Sequence, residues 1–340
     1  MMKKIRVIAA ALSALLLCGC GAESVSSGSS NPADSAVSES TLPSASDETS
    51  SGEQPAEEYV PGERDENGVY TAEGYAAKLE YPLNEKSITY AAKRFEYVYE
   101  QYLKDNCESI YVSVIPDKNY FLAEKNGYPA LDYSELTGML TGQMEYAEYI
   151  DIFPLLELSD YYCTDTHWRQ EKITDVAGKI ASAMGVTLSA EYTQTTLDVP
   201  FYGVHCRQAD ISLEPDTLIY LENEFLSECT VYDAETDSYI DVYNIELAAG
   251  DDPYEIFLSG AKSLLTIENP NAASDKELVI FRDSFASSIA PLLAEGYAKI
   301  TLVDIRYLSP ALLGRFVDFH GQDVLFLYSA PVLNNSVTIK

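Results

Sequence analysis

The sequence predicts an α/β domain in three layers, a parallel central sheet with helices on both faces. Two observations carry that expectation. From residue 277 to 328, apolar β-prone runs alternate with helix-like segments, the pattern of βαβ units whose crossovers cover a parallel sheet. The domain opens in the same way, with an amphipathic stretch at 88–103 leading into a β-branched run at 109–116.

The elements follow in order. Apolar side chains recur at Ile88, Ala91, Phe95, Val98, Tyr99 and Tyr102, and spacings of three and four make a helix with one apolar face. Ser109–Pro116 (SIYVSVIP) is continuously apolar, as a strand buried on both faces should be. A second helix is expected at 133–143 and a second strand at 148–153 (EYIDIF). Ile173, Val176, Ala177, Ile180 and Met184 repeat the helical spacing, and Gly185 stands where a C-cap belongs. Residues 187–247 differ: short β-prone runs broken by Pro, Gly and Asp read as a β-rich insertion. Regularity then returns, with strands at 277–281, 299–305 and 323–328 and helices at 284–293 and 310–319.

The N-terminus reads as an export signal. Lys3, Lys4 and Arg6 precede the apolar residues 7–17. That stretch is too short for a spanning helix, which needs about 20 apolar residues, and suits a cleaved leader. Leu17-Cys18-Gly19-Cys20 resembles a lipobox, in which a small residue precedes the cysteine that is acylated; Cys20 is therefore the expected lipidation site. Residues 21–66 are rich in Ser, Ala, Glu, Asp and Pro and bury too little apolar surface to offset the entropy of ordering. The expected plan is a signal peptide at 1–20, a disordered acidic tether at 21–66 and a folded domain at 67–340. The protein is expected at the cell membrane, lipid-anchored on its extracytoplasmic face.

A formal net charge of −32 argues against a nucleic-acid partner gripped by a basic face. Cys107, Cys163, Cys206 and Cys229 show no zinc-like spacing, and their pairing cannot be read from sequence. His205 beside Cys206 lacks companion ligands, so no metal and no cofactor is expected.

The chain has only three histidines. His167 lies in the polar stretch LSDYYCTDTHWRQ (158–170), two residues after Asp165. In a turn at a helix start, the carboxylate can hold the imidazole Nδ1–H and leave Nε2 as a base. Ser284 occupies a strand-to-helix turn, where its hydroxyl can project above the sheet and helix-start N–H groups can stabilise an oxyanion. Asp165, His167 and Ser284 together have the composition of an acyl-transfer triad; on local sequence alone, the plainer reading of Ser284 or Asp283 is a helix cap.

TDTHW before a helix, then VIFRDSFASSIAPLL, then KITLVDIRYL, with VIPDK at 114–118 and VLFLYS at 324–329, resembles the DHHW family. That family is similar to the SGNH-hydrolase-like proteins of alginate O-acetylation. The likeness runs through most of residues 85–335. It implies a three-layer α/β/α domain with Ser284 as nucleophile, His167 as base and Asp165 as orienting acid. Thr166 stands where the family's name pattern has a first histidine, and Arg282 where the usual Gly-Asp-Ser block has glycine.

Arg282, Asp283, Arg306, Tyr307, Trp168 and Lys118 are the expected substrate-binding or oxyanion-supporting groups. Three of them have a plainer reading: an ion pair of Arg306 with Asp304 or Asp283, a solvated turn for Lys118, packing or capping for Trp168. The expected activity is that of a carbohydrate O-acyl esterase or O-acetyltransferase on an envelope glycan or exopolysaccharide, with a membrane protein as possible acyl donor. The alternative is a non-catalytic glycan- or envelope-binding module on the same fold.

Overall fold

The computed structural model describes residues 64–107 and 109–340. Cys20, the leader and nearly all of the expected tether lie outside the described residues. The described chain opens with a hairpin, β1 (Val69–Ala72) and β2 (Tyr75–Lys78), turned through Glu73 and Gly74, both at positive φ. Helix α1 (Glu85–Val98) starts on Asn84, whose side chain accepts from Ser87 N–H. Then come β3 (Ser109–Ile115), α2 (Asn119–Leu122), α3 (Tyr133–Gln143) and the two-residue β4 (Glu148–Tyr149). Helix α4 (Thr174–Ala183) stops at Gly185, whose φ of 73° fits the C-cap expected there. The middle of the chain supplies β5 (Thr193–Phe201), α5 (Val204–Gln208), β6 (Asp216–Glu222), α6 (Glu224–Glu228), β7 (Thr230–Asp233), β8 (Ser238–Ile240) and β9 (Leu264–Glu268). It closes with β10 (Glu277–Arg282), α7 (Ala286–Leu293), β11 (Lys299–Val303), β12 (Asp323–Ser329) and α8 (Ala330–Asn334).

Eight strands form the central sheet in the order β4-β3-β12-β10-β11-β9-β7-β8. From β4 to β11 the pairs are parallel; β9, β7 and β8 pair antiparallel. The sheet is thus mixed, where the sequence suggested a parallel one. The connections explain the difference: α7 supplies the crossover between parallel β10 and β11, whereas β7 and β8 are joined by the short turn 234–237 and have no crossover. The β-rich stretch also divides. β5 and β6 form a separate two-stranded sheet, while β7 and β8 extend the central one.

Two other elements differ from expectation. The strand expected at 148–153 is only β4, followed by a 3-10 turn at Phe153–Leu155 with Pro154 in it, which cannot donate to a ladder. Residues 310–315, expected to be α-helical, form a 3-10 helix.

The inner parallel strands β3, β12, β10 and β11 are buried on both faces along most of their length, and their side chains alternate between two cores. Leu278 and Ile280 of β10, with Leu325 and Leu327 of β12, face α4 and α7. Val279 and Phe281, with Val324 and Phe326, face α1 and α3. This period of two across continuous apolar runs is what fixes register: a slip of one residue would exchange the two faces. In the observed register Phe281 lies opposite Val303 on one side and Phe326 on the other.

Candidate active site

β10 ends at Arg282, and the turn Asp283-Ser284-Phe285 leads into α7. The Asp283 carboxylate shapes that turn. Its Oδ1 accepts from Phe285 N–H at 3.1 Å, and its Oδ2 accepts from both the N–H and the hydroxyl of Ser329 at 2.7 Å. The ends of β10 and β12 are thereby tied together, and Ser284 stands at the carboxyl rim of the sheet, where open α/β folds gather their working residues.

The second component is the loop 161–168. Tyr161 bridges Trp168, Tyr162 N–H donates to His167 carbonyl oxygen, and Arg169 N–H donates to Asp160 carbonyl oxygen. Trp168 is fully buried and anchors the loop on α7: its indole N–H reaches Phe285 carbonyl oxygen at 3.1 Å and Ser288 Oγ at 2.9 Å. That docking places His167 Nε2 2.7 Å from Ser284 Oγ, across 117 residues of sequence. On its other side, His167 Nδ1 is 2.6 Å from Asp165 Oδ1.

Asp165 is 1% exposed. Burial pushes its carboxyl upward, but the His167 ring and the N–H groups of Val204 and His167 outweigh that and hold it well below the usual carboxylate range. An anionic Asp165 keeps the proton on Nδ1 and leaves Nε2 to accept from Ser284 Oγ–H. His167 is 8% exposed and its ring stacks on Tyr254, with centroids 3.8 Å apart and planes 5° from parallel. The Tyr254 hydroxyl donates to Ser288 Oγ at 2.9 Å, so Ser288 joins Tyr254 and Trp168 beneath the histidine.

Two further residues hold the Asp165 loop. Asp216 accepts from the N–H groups of Cys163 and Thr164 and from the Thr164 hydroxyl. Gly203 lies so close that a Cβ there would fall 2.2 Å from Asp165 Cβ. This approach lets the next N–H, that of Val204, reach Asp165 Oδ2 at 2.8 Å. Tyr254, Ser288, Asp216 and Gly203 carried no signal in the sequence; each acts through a partner distant in the chain.

The sequence-derived residues therefore separate into two sets. Asp165, His167 and Ser284 come together in hydrogen-bonded order. Several expected substrate contacts are instead framework. Arg282 is 0% exposed, and its guanidinium donates to Lys262 carbonyl oxygen and Ser287 Oγ, beneath the turn and away from solvent. Its φ is not positive, so position 282 makes no demand for glycine here. Trp168 and Asp283 are likewise buried. Lys118, neither a solvated turn lysine nor an open pocket cation, is 2% exposed and donates to the carbonyl oxygens of Tyr162 and Cys163. Burial lowers its ammonium to about 8. Arg306 forms the ion pair with Asp304, at 2.7 Å. Tyr307 alone of the set stands open, 51% exposed, just past β11 on the same rim.

No family model and no curated protein sequence matches the chain. Solved structures do. A DHHW family protein from Eubacterium siraeum superposes with a TM-score of 0.64 at 19% identity, over 81% of this chain and 96% of that one. The fold is that of a DHHW family protein. Bacillus cereus PatB1, in a structure carrying a sulfonyl adduct, shares it with a TM-score of 0.59 at 18% identity, over 78% of this chain and 95% of the other. The O-acetyltransferase domain of Pseudomonas putida AlgJ aligns with a TM-score of 0.49 at 12% identity, over 78% and 92%. On the DHHW-type fold seen here, the serine and histidine segments meet at the carboxyl rim.

Proposed function

We propose that this protein is a carbohydrate O-acyl esterase or O-acetyltransferase, held at the extracytoplasmic face of a membrane by lipid on Cys20. The observation that carries the reading is the relay Asp165–His167–Ser284, with links of 2.6 and 2.7 Å. Ser284 Oγ attacks the acyl carbonyl carbon while its proton passes to His167 Nε2. The oxyanion so formed is met by the backbone N–H of Ser284; the next three N–H groups, of Phe285, Ala286 and Ser287, are held by the Asp283 carboxylate and by the carbonyl oxygens of Asp283 and Ser284. Collapse breaks the bond to the leaving alkoxide, which takes the proton from His167 and departs as a sugar or donor hydroxyl. The acyl group now rests on Ser284 as an ester. Water or an acceptor sugar hydroxyl then gives its proton to His167, attacks the ester carbonyl and releases acetate or an acetylated sugar with Ser284 restored. Asp165, anionic throughout, stabilises the imidazolium of each half-reaction.

The likeness to PatB1 suits this reading, since a sulfonyl adduct is what an activated nucleophile forms with a sulfonylating reagent. The test uses residues 60–340 with a fluorophosphonate probe and p-nitrophenyl acetate, beside Ser284→Ala and His167→Ala. Labelling of the wild type that is lost in Ser284→Ala and cut at least a hundredfold in His167→Ala is expected. Wild-type protein that resists both reagents, with its fold intact, would leave the glycan-binding module as the better account.

A further inference from the structure

The carboxyl rim continues past Ser284. β12 ends at Ser329, which is bonded to Asp283, and α8 runs from there to Asn334. A helix this short rises only about 7 Å, so its far end stays close to the nucleophile turn. A cavity of about 470 Å³ opens there, lined among others by Lys78, Glu80, Tyr81, Asn84, Asn334 and Asn335.

Its walls are fixed by side-chain amides. Asn334 Oδ1 accepts from Asn84 N–H at 2.7 Å, and its Nδ2–H donates to Pro82 carbonyl oxygen at 3.2 Å. Asn335 Nδ2–H donates to Glu80 Oε2 at 2.9 Å and to Pro331 carbonyl oxygen at 3.2 Å. Glu80 is buried against this framework, whereas Tyr81 is 55% exposed beside it. Among the described residues no carboxylate forms an ion pair with Lys78.

An open aromatic face next to a rigid carboxylate and amide is suited to a sugar: the ring's C–H face stacks on the tyrosine, and its hydroxyls meet planar donors and acceptors. An apolar ligand would meet mostly polar groups. We propose that this cavity is a sugar-binding subsite, seating a neutral hexose unit of the same polymer whose acyl group is handled at Ser284; it rests on the carbohydrate O-acyl reading. Burial, reinforced by Asp117, raises the Glu80 carboxyl to about 7, so near neutral pH it donates as well as accepts.

The test is calorimetric binding of cellotetraose, chitotetraose and mannotetraose to the 60–340 protein, beside Tyr81→Ala and Asn335→Ala, with fluorophosphonate labelling run in parallel. The expected result is binding of at least one tetrasaccharide, weakened tenfold or more in each variant, with labelling of Ser284 unchanged. Wild-type affinity in both variants overturns the subsite, as does failure of all three sugars to bind the wild type. Binding without labelling would instead retain the subsite and remove the serine chemistry, so the two failures are told apart.

Discussion

Gly203→Ala is the sharpest probe of how the relay is held. The added Cβ would stand 2.2 Å from Asp165 Cβ, 2.4 Å from its Cα and 2.6 Å from its N. Carbon atoms pack at about 3.5 Å or more, so the two strands of chain must part by roughly 1.3 Å. All three contacts are backbone or Cβ, so no side-chain rotation relieves them. A 2.8 Å bond from Val204 N–H to Asp165 Oδ2 then passes beyond 3.5 Å and is lost. A hydrogen bond to a buried charge contributes about 1.5–3 kcal/mol, and about 1.4 kcal/mol is tenfold in rate. Acylation of Ser284 by a fluorophosphonate should therefore slow about ten- to a hundredfold. Because the lost donor is one that holds Asp165 anionic, the acid limb of the pH–rate profile should also move upward. A merely structural glycine would lower the melting temperature without moving that limb. An alanine variant that reacts at the wild-type rate with the wild-type pH profile would refute the reasoning.

Other outcomes follow from the same geometry. Trp168→Phe keeps a ring in the core but removes the donor to Phe285 carbonyl oxygen and Ser288 Oγ; denaturant unfolding should show a loss of about 1–3 kcal/mol, together with slower labelling of Ser284. Asp283→Ala strips partners from the N–H groups of Phe285 and Ser329 and should lower both stability and labelling, while Asp283→Asn retains part of each. Glu80 has its carboxyl raised to about 7. Its contribution to stability is therefore full below the unfolded carboxyl's pKa and is lost as pH rises through about 7. Urea midpoints measured from pH 4.5 to 7.5 should fall less steeply in Glu80→Gln than in the wild type.

The parallel half of the sheet was legible because its strands are continuous apolar runs separated by helical spacing, as in ELVIF and DVLFLY. The antiparallel half was not. β7 and β8 are short, half-exposed and broken by turns, so their membership of the main sheet depends on pairing with β9, which no local pattern announces. The serine turn and the Asp-X-His loop could be seen singly, but their meeting across 117 residues came only from family resemblance, since spacing says nothing about tertiary distance. Lys118 and Arg282 were misplaced for the opposite reason. Charged side chains are ordinarily exposed, and only the carbonyl oxygens and hydroxyl gathered around them in three dimensions make their burial tolerable. Tyr254 was invisible because stacking on His167 joins a 3-10 turn at 253–256 to a loop far earlier in the chain.

The order of the sheet gives the molecule a keystone. β12 is the last strand in the chain, yet it lies between β3 and β10. Until its residues are synthesised, the early strands and the nucleophile strand have no edge in common. Without β12, β3 has only β4 to pair with and β10 only β11, and Asp283 lacks the Ser329 that squares the serine turn. Reactivity must then appear abruptly, at the end of synthesis, and a chain cut before Asp323 should be inert even though every member of the relay is present in it.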